Sequence, residues 1–295
     1  MNKFKYKYIS KIEKKSLTGD INKNNVHSFI DLSSGRTHYQ YYNGRNKSTI
    51  VLIPGATQSL NTFNNIYSFL VKHSFNVLRF DFYGKGYSDR PYLPYDRNTY
   101  IMQLKELLDR LEIYQKVIFI GHSFGGAIST CFVNKYPNRV CSIILISPVV
   151  NCIRKPIGFL LARTPFFGQF FMNKLVIPKI IERAKKGIHL KEKSNLLASF
   201  MEQMSYKGYE RSLYYLFTSN AMRNYKNEYK QLGTIPIKKY LLWGDEDKEI
   251  KEDLMQYIIK YNHDMQYFIL KGIGHSVIVQ GEKILKENLM KIFGN

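Results

Sequence analysis

Short apolar runs alternate with amphipathic stretches along most of the chain. Continuous runs of Val, Ile, Leu and Phe that end in turn residues are typical of strands buried on both faces of a sheet. The predicted strands are VHSFIDLSS (26–34), RTHYQYYNG (36–44), STIVLIPG (48–55), FNVLRFDFYG (75–84), KVIFIG (116–121), VCSIILISP (140–148), IKKYLLWGDED (237–247) and MQYFILKGIGH (265–275). Most of these strands are separated by helical patterns, which predicts an α/β fold with a mostly parallel sheet covered by helices on both faces.

Apolar residues spaced three and four apart predict the helices between these strands. The predicted helices are NTFNNIYSFLVKH (61–73), TYIMQLKELLDRLEI (99–113), the stretch after residue 121, a segment near 250–260 and a terminal helix that begins near Gly281. Asn61 is a candidate N-cap for the first of them, because Asn side chains accept hydrogen bonds from the first turn of a helix.

One long segment interrupts this alternation. Residues 151–234 contain aromatic-rich helical patterns and no convincing central strand, and they are too numerous for an ordinary loop. We therefore predict a sheet of the eight-stranded type, with a helical cap or lid inserted after its sixth strand. The predicted organisation is a basic, loosely held N-terminal arm (1–25), a first core part (26–150), the cap (151–234) and a second core part (235–295).

Composition sets the broad class of the protein. Of 295 residues, 44% are hydrophobic, yet no apolar run approaches the roughly 20 residues that span a bilayer. The basic start MNKFKYKYISKIEKKS has no apolar core of a secretory signal. Three cysteines, Cys131, Cys141 and Cys152, have no C-x-x-C spacing and predict small buried hydrophobes in a reducing compartment. These features predict a cytoplasmic protein.

The chain is strongly basic, with 44 Lys and Arg against 23 Asp and Glu and a formal net charge of +21. Such a charge suggests nucleic acid or an anionic membrane as a partner. No basic recognition helix, zinc-ligand spacing or RNA-binding aromatic motif is present, so we predict no nucleic-acid partner. Residues 151–234 carry 15 Lys and Arg against 5 Asp and Glu. Weak attraction to an anionic membrane and a merely solvated lysine-rich surface both stay open.

A serine flanked by glycines follows the fifth predicted strand, in the stretch VIFIGHSFGGAIST (117–130). Gly121 and Gly125, two positions before and after Ser123, allow a sharp turn from strand to helix without a Cβ clash. Such a turn raises Ser123 out of the sheet, which is the geometry of a G-x-S-x-G nucleophile elbow. A glycine-rich turn that cradles a phosphate has the same pattern, so this stretch alone leaves both interpretations open.

Three further stretches follow predicted strands: LLWGDEDKEI, GIGHSV and DFYGKGYSDRP. A serine, then an acid, then a histidine, each at the carboxyl end of a strand, is the chain order of α/β-hydrolases. From about residue 26 to its end, the chain resembles that superfamily, and in particular its capped esterases and monoacylglycerol-lipase-like members. Besides the elbow, the residues that carry the resemblance are Asp81, Gly84, Gly86, Ser88 and Pro91 in a D-x-x-G-x-G-x-S turn, and Trp243, Gly244 and Asp247 in a W-G-x-x-D element. Within the turn we expect Asp81 and Ser88 to bond the local backbone rather than to act in catalysis.

The resemblance implies a catalytic triad. Ser123 would be the nucleophile, His275 the base that takes its proton, and Asp247 the acid that fixes the histidine tautomer. Asp245 lies in the same turn and stays open as the acid, although the family spacing favours Asp247. The other histidines lack a matching strand-end position, and we expect them to be structural: His27, His38, His73, His122, His189 and His263.

The resemblance also implies an oxyanion hole made of two backbone N–H donors. One would belong to Phe124, the residue after the nucleophile, and the other to Ala56, in the loop after the third strand. The chain departs from the family pattern here, because the usual histidine before the loop glycine is Pro54. The donor is a main-chain group, so we expect activity to survive this change.

These residues predict a serine hydrolase, independent of any metal or cofactor, that cleaves carboxylic esters of lipophilic small molecules such as acylglycerols, lactones or aryl esters. Ser123 at the elbow argues against relatives that use aspartate there to displace halide or open epoxides. Two alternatives stay open. The same fold supports carbon–carbon bond hydrolysis of ring-cleavage products, and it also occurs in catalytically silent receptors or scaffolds.

Overall fold

The computed structural model describes residues 12–17, 27–44, 48–151, 167–168, 170, 172–187 and 194–294. Eight strands lie at the positions predicted from the apolar runs. They are β1 (Ser28–Leu32), β2 (Gly35–Tyr42), β3 (Thr49–Ile53), β4 (Asn76–Phe80), β5 (Val117–His122), β6 (Val140–Ile146), β7 (Lys238–Gly244) and β8 (Gln266–Leu270).

All eight strands join one sheet, in the order β1-β2-β4-β3-β5-β6-β7-β8. β2 runs antiparallel to both β1 and β4, and every other neighbouring pair is parallel. The prediction of a mostly parallel eight-stranded α/β sheet is therefore confirmed. Because β5, β7 and β8 are parallel, their carboxyl ends lie at the same edge of the sheet.

Helices follow the strands and cover both faces of the sheet. Those described are α1 (Asn64–Lys72), α2 (Arg97–Arg110), α3 (Phe124–Lys135), α4 (Ile177–Gly187), α5 (Ser194–Ser205), α6 (Tyr209–Thr218), α7 (Lys226–Leu232), α8 (Glu252–Tyr261), α9 (Val277–Gln280) and α10 (Glu282–Gly294). The prediction of Asn61 as an N-cap is wrong. A 3₁₀ turn over Leu60–Phe63 precedes α1, and the Asn61 amide donates instead to Ser199 Oγ at 2.7 Å.

Alternate side chains of each central strand enter opposite halves of the core, as the period of a strand requires. In β3, Val51 and Ile53 pack into the cluster that also holds buried residues of α2 and α3. Ile50 and Leu52 pack into a second cluster with α1 and α10. Burial on both faces explains why these strands appear in the sequence as continuous apolar runs.

The insertion, defined here as residues 151–234, is helical where the structure describes it and contains α4 to α7. The helix α6 packs on the core, with Tyr209, Leu213 and Leu216 fully buried. Within the described part of the chain, no helix is both long and apolar enough to cross a bilayer. Cys131 and Cys141 are free thiols, and Cys152 lies outside the described residues.

A short N-terminal segment lies against the insertion. The N–H groups of Lys14 and Lys15 both donate to the Ser205 carbonyl, at 2.8 and 2.9 Å. The Glu13 carboxylate accepts hydrogen bonds from the N–H groups of Gly208 and Glu210 at the start of α6, where a negative charge is favoured by the helix dipole. Residues 13–15 are therefore hydrogen-bonded to the insertion.

Candidate active site

Ser123 lies between the end of β5 and the start of α3 with backbone angles φ 53° and ψ −118°. Residues other than glycine rarely adopt these backbone angles; each one that does costs about 1–3 kcal/mol and persists only where the surrounding structure imposes it. Two backbone hydrogen bonds do so. The Ser123 N–H donates to the Ile146 carbonyl at 2.9 Å, and the Ser123 carbonyl accepts from Val149 N–H at 3.1 Å. The sharp turn predicted from the G-x-S-x-G pattern is therefore present.

Gly125 permits the close approach that this turn requires. A Cβ at this position would lie 2.1 Å from the Ile53 carbonyl oxygen and 2.6 Å from that of Pro54. Both oxygens are backbone atoms at the end of β3, so they cannot move aside without distorting the sheet. The first turn of α3 thus packs directly on the loop that carries Ala56.

We expect Gly125→Ala to lower the free energy of unfolding by about 1–3 kcal/mol, the usual cost of overpacking a buried site. Urea denaturation followed by far-UV circular dichroism measures this change. The matched control is Gly294→Ala, where the added methyl group meets nothing within 4 Å. Equal stability of the two variants would contradict the tight approach of α3 to β3.

The three residues of the predicted triad form one hydrogen-bonded chain. His275 Nε2 lies 3.0 Å from Ser123 Oγ, and His275 Nδ1 lies 2.8 Å from Asp247 Oδ2. In the tautomer with its proton on Nδ1, the imidazole donates to the carboxylate and Nε2 accepts from the serine hydroxyl. The imidazole is 16% exposed, whereas the Asp247 side chain is fully buried. Solvent can therefore reach the histidine but not its acidic partner.

Asp247 is held as a buried carboxylate by several donors. Its second oxygen, Oδ1, accepts hydrogen bonds from the N–H groups of Glu249 and Ile250, at 2.8 and 2.9 Å. Burial raises the pKa of this carboxyl group, but the hydrogen bond and charge of His275 and the two N–H donors outweigh burial, so the pKa lies below its ordinary value. The Trp243 indole closes the same loop by donating to the Ile250 carbonyl at 3.1 Å.

Asp245 faces a different loop. Its Oδ1 accepts from the Gly272 N–H at 2.7 Å, and its Oδ2 lies 3.4 Å from Lys271 Nζ. The structure thus brings Asp247, not Asp245, to His275. Backbone contacts hold the two loops together, because a Cβ on Gly244 would lie 2.1 Å from the Ile273 carbonyl oxygen, which accepts from the Glu246 N–H.

Of the two predicted oxyanion donors, Phe124 directly follows Ser123, and Ala56 lies in the loop after β3, whose Ile53 and Pro54 carbonyls approach Gly125. Phe124 is the first residue of α3, where N–H groups have no carbonyl of their own helix to bond. Ala56 lies in a turn closed by the Gln58 N–H, which donates to the Gly55 carbonyl at 3.2 Å. The Gln58 side chain closes the turn a second time, because its Oε1 accepts from the Gly55 N–H at 2.9 Å.

His122 connects this turn with the histidine loop, a role that the sequence did not indicate. Its Nδ1 lies 3.1 Å from Gln58 Oε1, and its Nε2 lies 3.1 Å from the His275 carbonyl oxygen. Burial, followed by the nearby His275, lowers the pKa of His122 to about 3. A neutral imidazole carries one N–H, so near neutral pH the His122 ring can donate to only one of these two oxygens at a time. Gln58 lies three residues after the loop glycine and belongs to no recognised motif, so the sequence did not reveal its contact with His122.

In the glycine-rich turn after β4, Asp81 and Ser88 bond the local backbone, as predicted. The Asp81 carboxylate accepts from the N–H groups of Leu60 and Tyr87, and Ser88 Oγ donates to the Asp81 carbonyl at 2.6 Å. His38 Nδ1 lies 2.6 Å from Asp81 Oδ2 in a fully buried pair. His38 and His27 lie side by side, 3.0 Å apart through their ring nitrogens. His189 lies outside the described residues.

Sequence comparison finds relatives that match part of this chain and others that match nearly all of it. An uncharacterised protein of Mycobacterium tuberculosis is 32% identical over 132 residues, which cover 45% of this chain and 38% of that relative's length. A 2-hydroxy-6-oxononadienedioate/2-hydroxy-6-oxononatrienedioate hydrolase of Cupriavidus pinatubonensis is 24% identical over 282 residues, covering 90% of this chain and 95% of that protein.

Several solved structures share the fold. A bromoperoxidase from Bacillus anthracis superposes with a TM-score of 0.76 at 15% identity, covering 91% of this chain and 100% of that one. An esterase from Exiguobacterium antarcticum has a TM-score of 0.76 at 14% identity, with 91% and 99% coverage. The enol-lactonase from Burkholderia xenovorans LB400 has a TM-score of 0.75 at 15% identity, with 91% and 100% coverage. At these identities the likeness concerns the fold alone.

A family model covers most of the chain. The model described as Hydrolase_4, serine aminopeptidase S33, matches residues 44–282. That range begins just after β2 and ends at the first residue of α10, and it includes the insertion, the elbow and the loops that carry Asp247 and His275. With the eight-stranded sheet and the strand-end position of Ser123, this match shows that the chain belongs to the serine aminopeptidase S33 family of α/β-hydrolases.

Proposed function

We propose that this protein is a serine hydrolase that cleaves carboxylic esters of lipophilic small molecules. The observation that carries the proposal is the hydrogen-bonded chain from Ser123 Oγ through His275 to Asp247, at 3.0 and 2.8 Å. The strained turn at Ser123 adds support, since backbone strain of this kind is concentrated at functional sites. Esterase and lactonase activities among the structural neighbours are consistent with the same chemistry.

In the first half of the reaction, His275 Nε2 takes the proton of Ser123 Oγ as that oxygen forms a bond to the ester carbonyl carbon. The carbonyl π electrons move to the oxygen, where the N–H groups of Ala56 and Phe124 stabilise the negative charge. Asp247 stabilises the imidazolium that results. When the intermediate collapses, the bond to the leaving alkoxide breaks and His275 returns the proton to it, leaving an acyl group on Ser123.

In the second half, water replaces the alcohol. His275 takes a proton from the water as the water oxygen attacks the acyl carbon, and the same two N–H groups stabilise the second oxyanion. Collapse breaks the bond to Ser123 Oγ, which regains its proton from His275, and the carboxylic acid leaves. His275 returns each proton that it takes, so the three residues regain their starting protonation states after each turnover.

A lipophilic substrate is supported by the composition of the insertion, which we propose forms a cap over the site. Its described part has large apolar side chains on the surface, with Phe167 65% and Phe170 62% exposed. Phe167 and Phe170 belong to the aromatic stretch FFGQFF, and the insertion contains a second such stretch, YYLF. Aromatic and aliphatic side chains are the usual lining of sites that bind acyl or aryl groups.

A hydrolysis screen with purified protein tests the proposed function. The substrates are p-nitrophenyl esters of increasing acyl length, monoacylglycerols, lactones and aminoacyl anilides, the last because the family description names an aminopeptidase. We expect esters to be cleaved at the highest kcat/KM. Turnover of anilides alone would replace the ester assignment by amide hydrolysis with the same residues.

Carbon–carbon bond hydrolysis is a second candidate, supported by the similarity to the 2-hydroxy-6-oxononadienedioate/2-hydroxy-6-oxononatrienedioate hydrolase of Cupriavidus pinatubonensis. Loss of the dienoate absorbance of such a product, in the same screen, identifies this activity. A catalytically silent scaffold is the third. A fluorophosphonate probe separates it from the enzymes, since only an activated serine reacts rapidly with the probe.

We expect binding to anionic vesicles that weakens as salt screens the surface charge. The insertion has a local net charge of +10, and each basic residue near an anionic surface contributes about 1 kcal/mol at low salt. Exposed Phe167 and Phe170 would enter the interface. Co-sedimentation with phosphatidylserine-containing vesicles at about 0.02 and 0.5 M salt measures the effect.

The matched variants separate the apolar contribution from net charge. Phe167→Ser with Phe170→Ser is expected to weaken vesicle binding at least about tenfold, from the apolar area that no longer enters the interface. Tyr114→Ser is the control, because Tyr114 is 66% exposed but precedes β5, at the opposite edge of the sheet from the site. Absence of binding at low salt would leave an enzyme of dispersed esters and remove the membrane from the proposal.

A further inference from the structure

Two side chains of the insertion donate hydrogen bonds to one backbone carbonyl in the turn 55–58, which carries the predicted oxyanion donor Ala56. The Thr57 carbonyl oxygen accepts a hydrogen bond from Gln203 Nε2 at 3.0 Å and another from the Tyr209 hydroxyl at 3.2 Å. Gln203 lies on α5 and Tyr209 begins α6, so both donors come from the insertion. Two donors saturate the two lone pairs of this carbonyl.

Both donors are buried and fixed in place. Gln203 is 2% exposed, and its Oε1 accepts from the Gly86 N–H at 2.9 Å in the glycine-rich turn after β4. Tyr209 is fully buried. A buried amide that bridges two backbone groups of different loops has little freedom to rotate, because any other rotamer would leave a polar group without a partner.

The carbonyl they hold belongs to the four-residue turn that carries the Ala56 N–H. A hydrogen bond from the Gln58 N–H to the Gly55 carbonyl closes this turn, and Ala56 and Thr57 are its central residues. On its core side the turn is tied through Gln58 to His122. On its other side, the hydrogen bonds to the Thr57 carbonyl are the ties to α5 and α6. The direction of the Ala56 N–H therefore depends on both attachments.

We propose that Gln203 and Tyr209 are positioning residues that aim the Ala56 N–H at the oxyanion, so that docking of the insertion completes the catalytic site. The inference rests on the proposed function, because it needs an oxyanion at that position. An N–H donor stabilises a developing charge only when it is held in place before the reaction. Neither side chain needs to touch the substrate to have this effect.

The test measures steady-state hydrolysis of p-nitrophenyl butyrate by Gln203→Met, Tyr209→Phe and the double variant. Loss of one oxyanion donor outright costs about 10²–10³ in kcat, so misdirecting it is expected to lower kcat about 3- to 10-fold in each single variant and about 10- to 100-fold in the double variant. We expect KM to stay within about twofold, because the turn contacts the transition state rather than the bound ester.

A second readout distinguishes positioning from general structural damage. A trifluoromethyl ketone forms a tetrahedral adduct with the nucleophilic serine and places an oxyanion in the hole. Its inhibition constant is expected to rise by the same factor as kcat/KM falls. Gln203→Glu keeps an acceptor for the Gly86 N–H but removes the donor to Thr57, so it should lose activity like Gln203→Met.

Ser199→Ala is the matched control. It removes a hydrogen bond between the insertion and the core, from Asn61 Nδ2 at 2.7 Å, without touching Thr57. A similar kcat loss in this control, or a double variant within twofold of the wild type, would overturn the inference. Should the double variant unfold, Tyr209→Phe alone decides by the same measure. A wild type that hydrolyses no ester would instead refute the proposed function itself.

Discussion

Ser123→Ala is expected to abolish ester hydrolysis, with kcat lower by about 10⁴–10⁶-fold, while the protein stays folded. The substitution removes only Oγ, so no bond to the acyl carbon can form and His275 has no proton to take. The backbone at φ 53° is as strained for Ala as for Ser, so folding stability should hardly change. Initial rates with the best ester of the screen, together with thermal unfolding, measure both effects.

Ser129→Ala is the matched control for this experiment. Ser129 lies six residues further along, on the helix α3 that Ser123 precedes, and its hydroxyl donates to the Gly125 carbonyl at 2.6 Å. Its loss should leave kcat within a few-fold of the wild type, and labelling by a fluorophosphonate should persist. If Ser123→Ala retained more than about a tenth of the wild-type rate, Ser123 would not be the nucleophile.

The sheet could be predicted from the sequence because its central strands are buried on both faces. The runs STIVLIPG and KVIFIG have uninterrupted apolar residues at positions 50–53 and 117–120, and turn residues mark their ends. The order of the elbow serine, the acid and the histidine then placed the candidate site at the carboxyl ends of three strands. Parallel pairing of those strands was enough to bring the residues together.

The parts that could not be predicted depend on contacts between residues far apart in the chain. Gln203 and Tyr209 bond the Thr57 carbonyl across 146 and 152 positions. A single polar side chain on an amphipathic helix leaves no periodic signal to reveal such a partner. The same holds for Glu13, whose carboxylate binds N–H groups at the start of α6. The composition of the N-terminal segment gives no sign of this contact.

Asp247→Asn is expected to lower kcat by about 10⁴-fold, far more than Asp245→Asn. The Asn side chain can keep the hydrogen bonds from the N–H groups of Glu249 and Ile250 through its carbonyl oxygen. Its NH₂ group then faces His275 Nδ1 as a donor. That arrangement selects the tautomer with the proton on Nε2, which can no longer accept the proton of Ser123.

Asp245→Asn serves as the matched control, because the same change falls two residues away on a carboxylate that bonds Gly272 rather than His275. We expect its kcat to stay within a few-fold of the wild type. The reverse ranking would move the acid to Asp245 and leave the mechanism intact. Mild, equal losses from both would direct attention to Glu249, whose Oε2 lies 3.9 Å from His275 Nε2. Glu249→Gln would then be the variant with the large loss, because its carboxylate would be the group that stabilises the imidazolium.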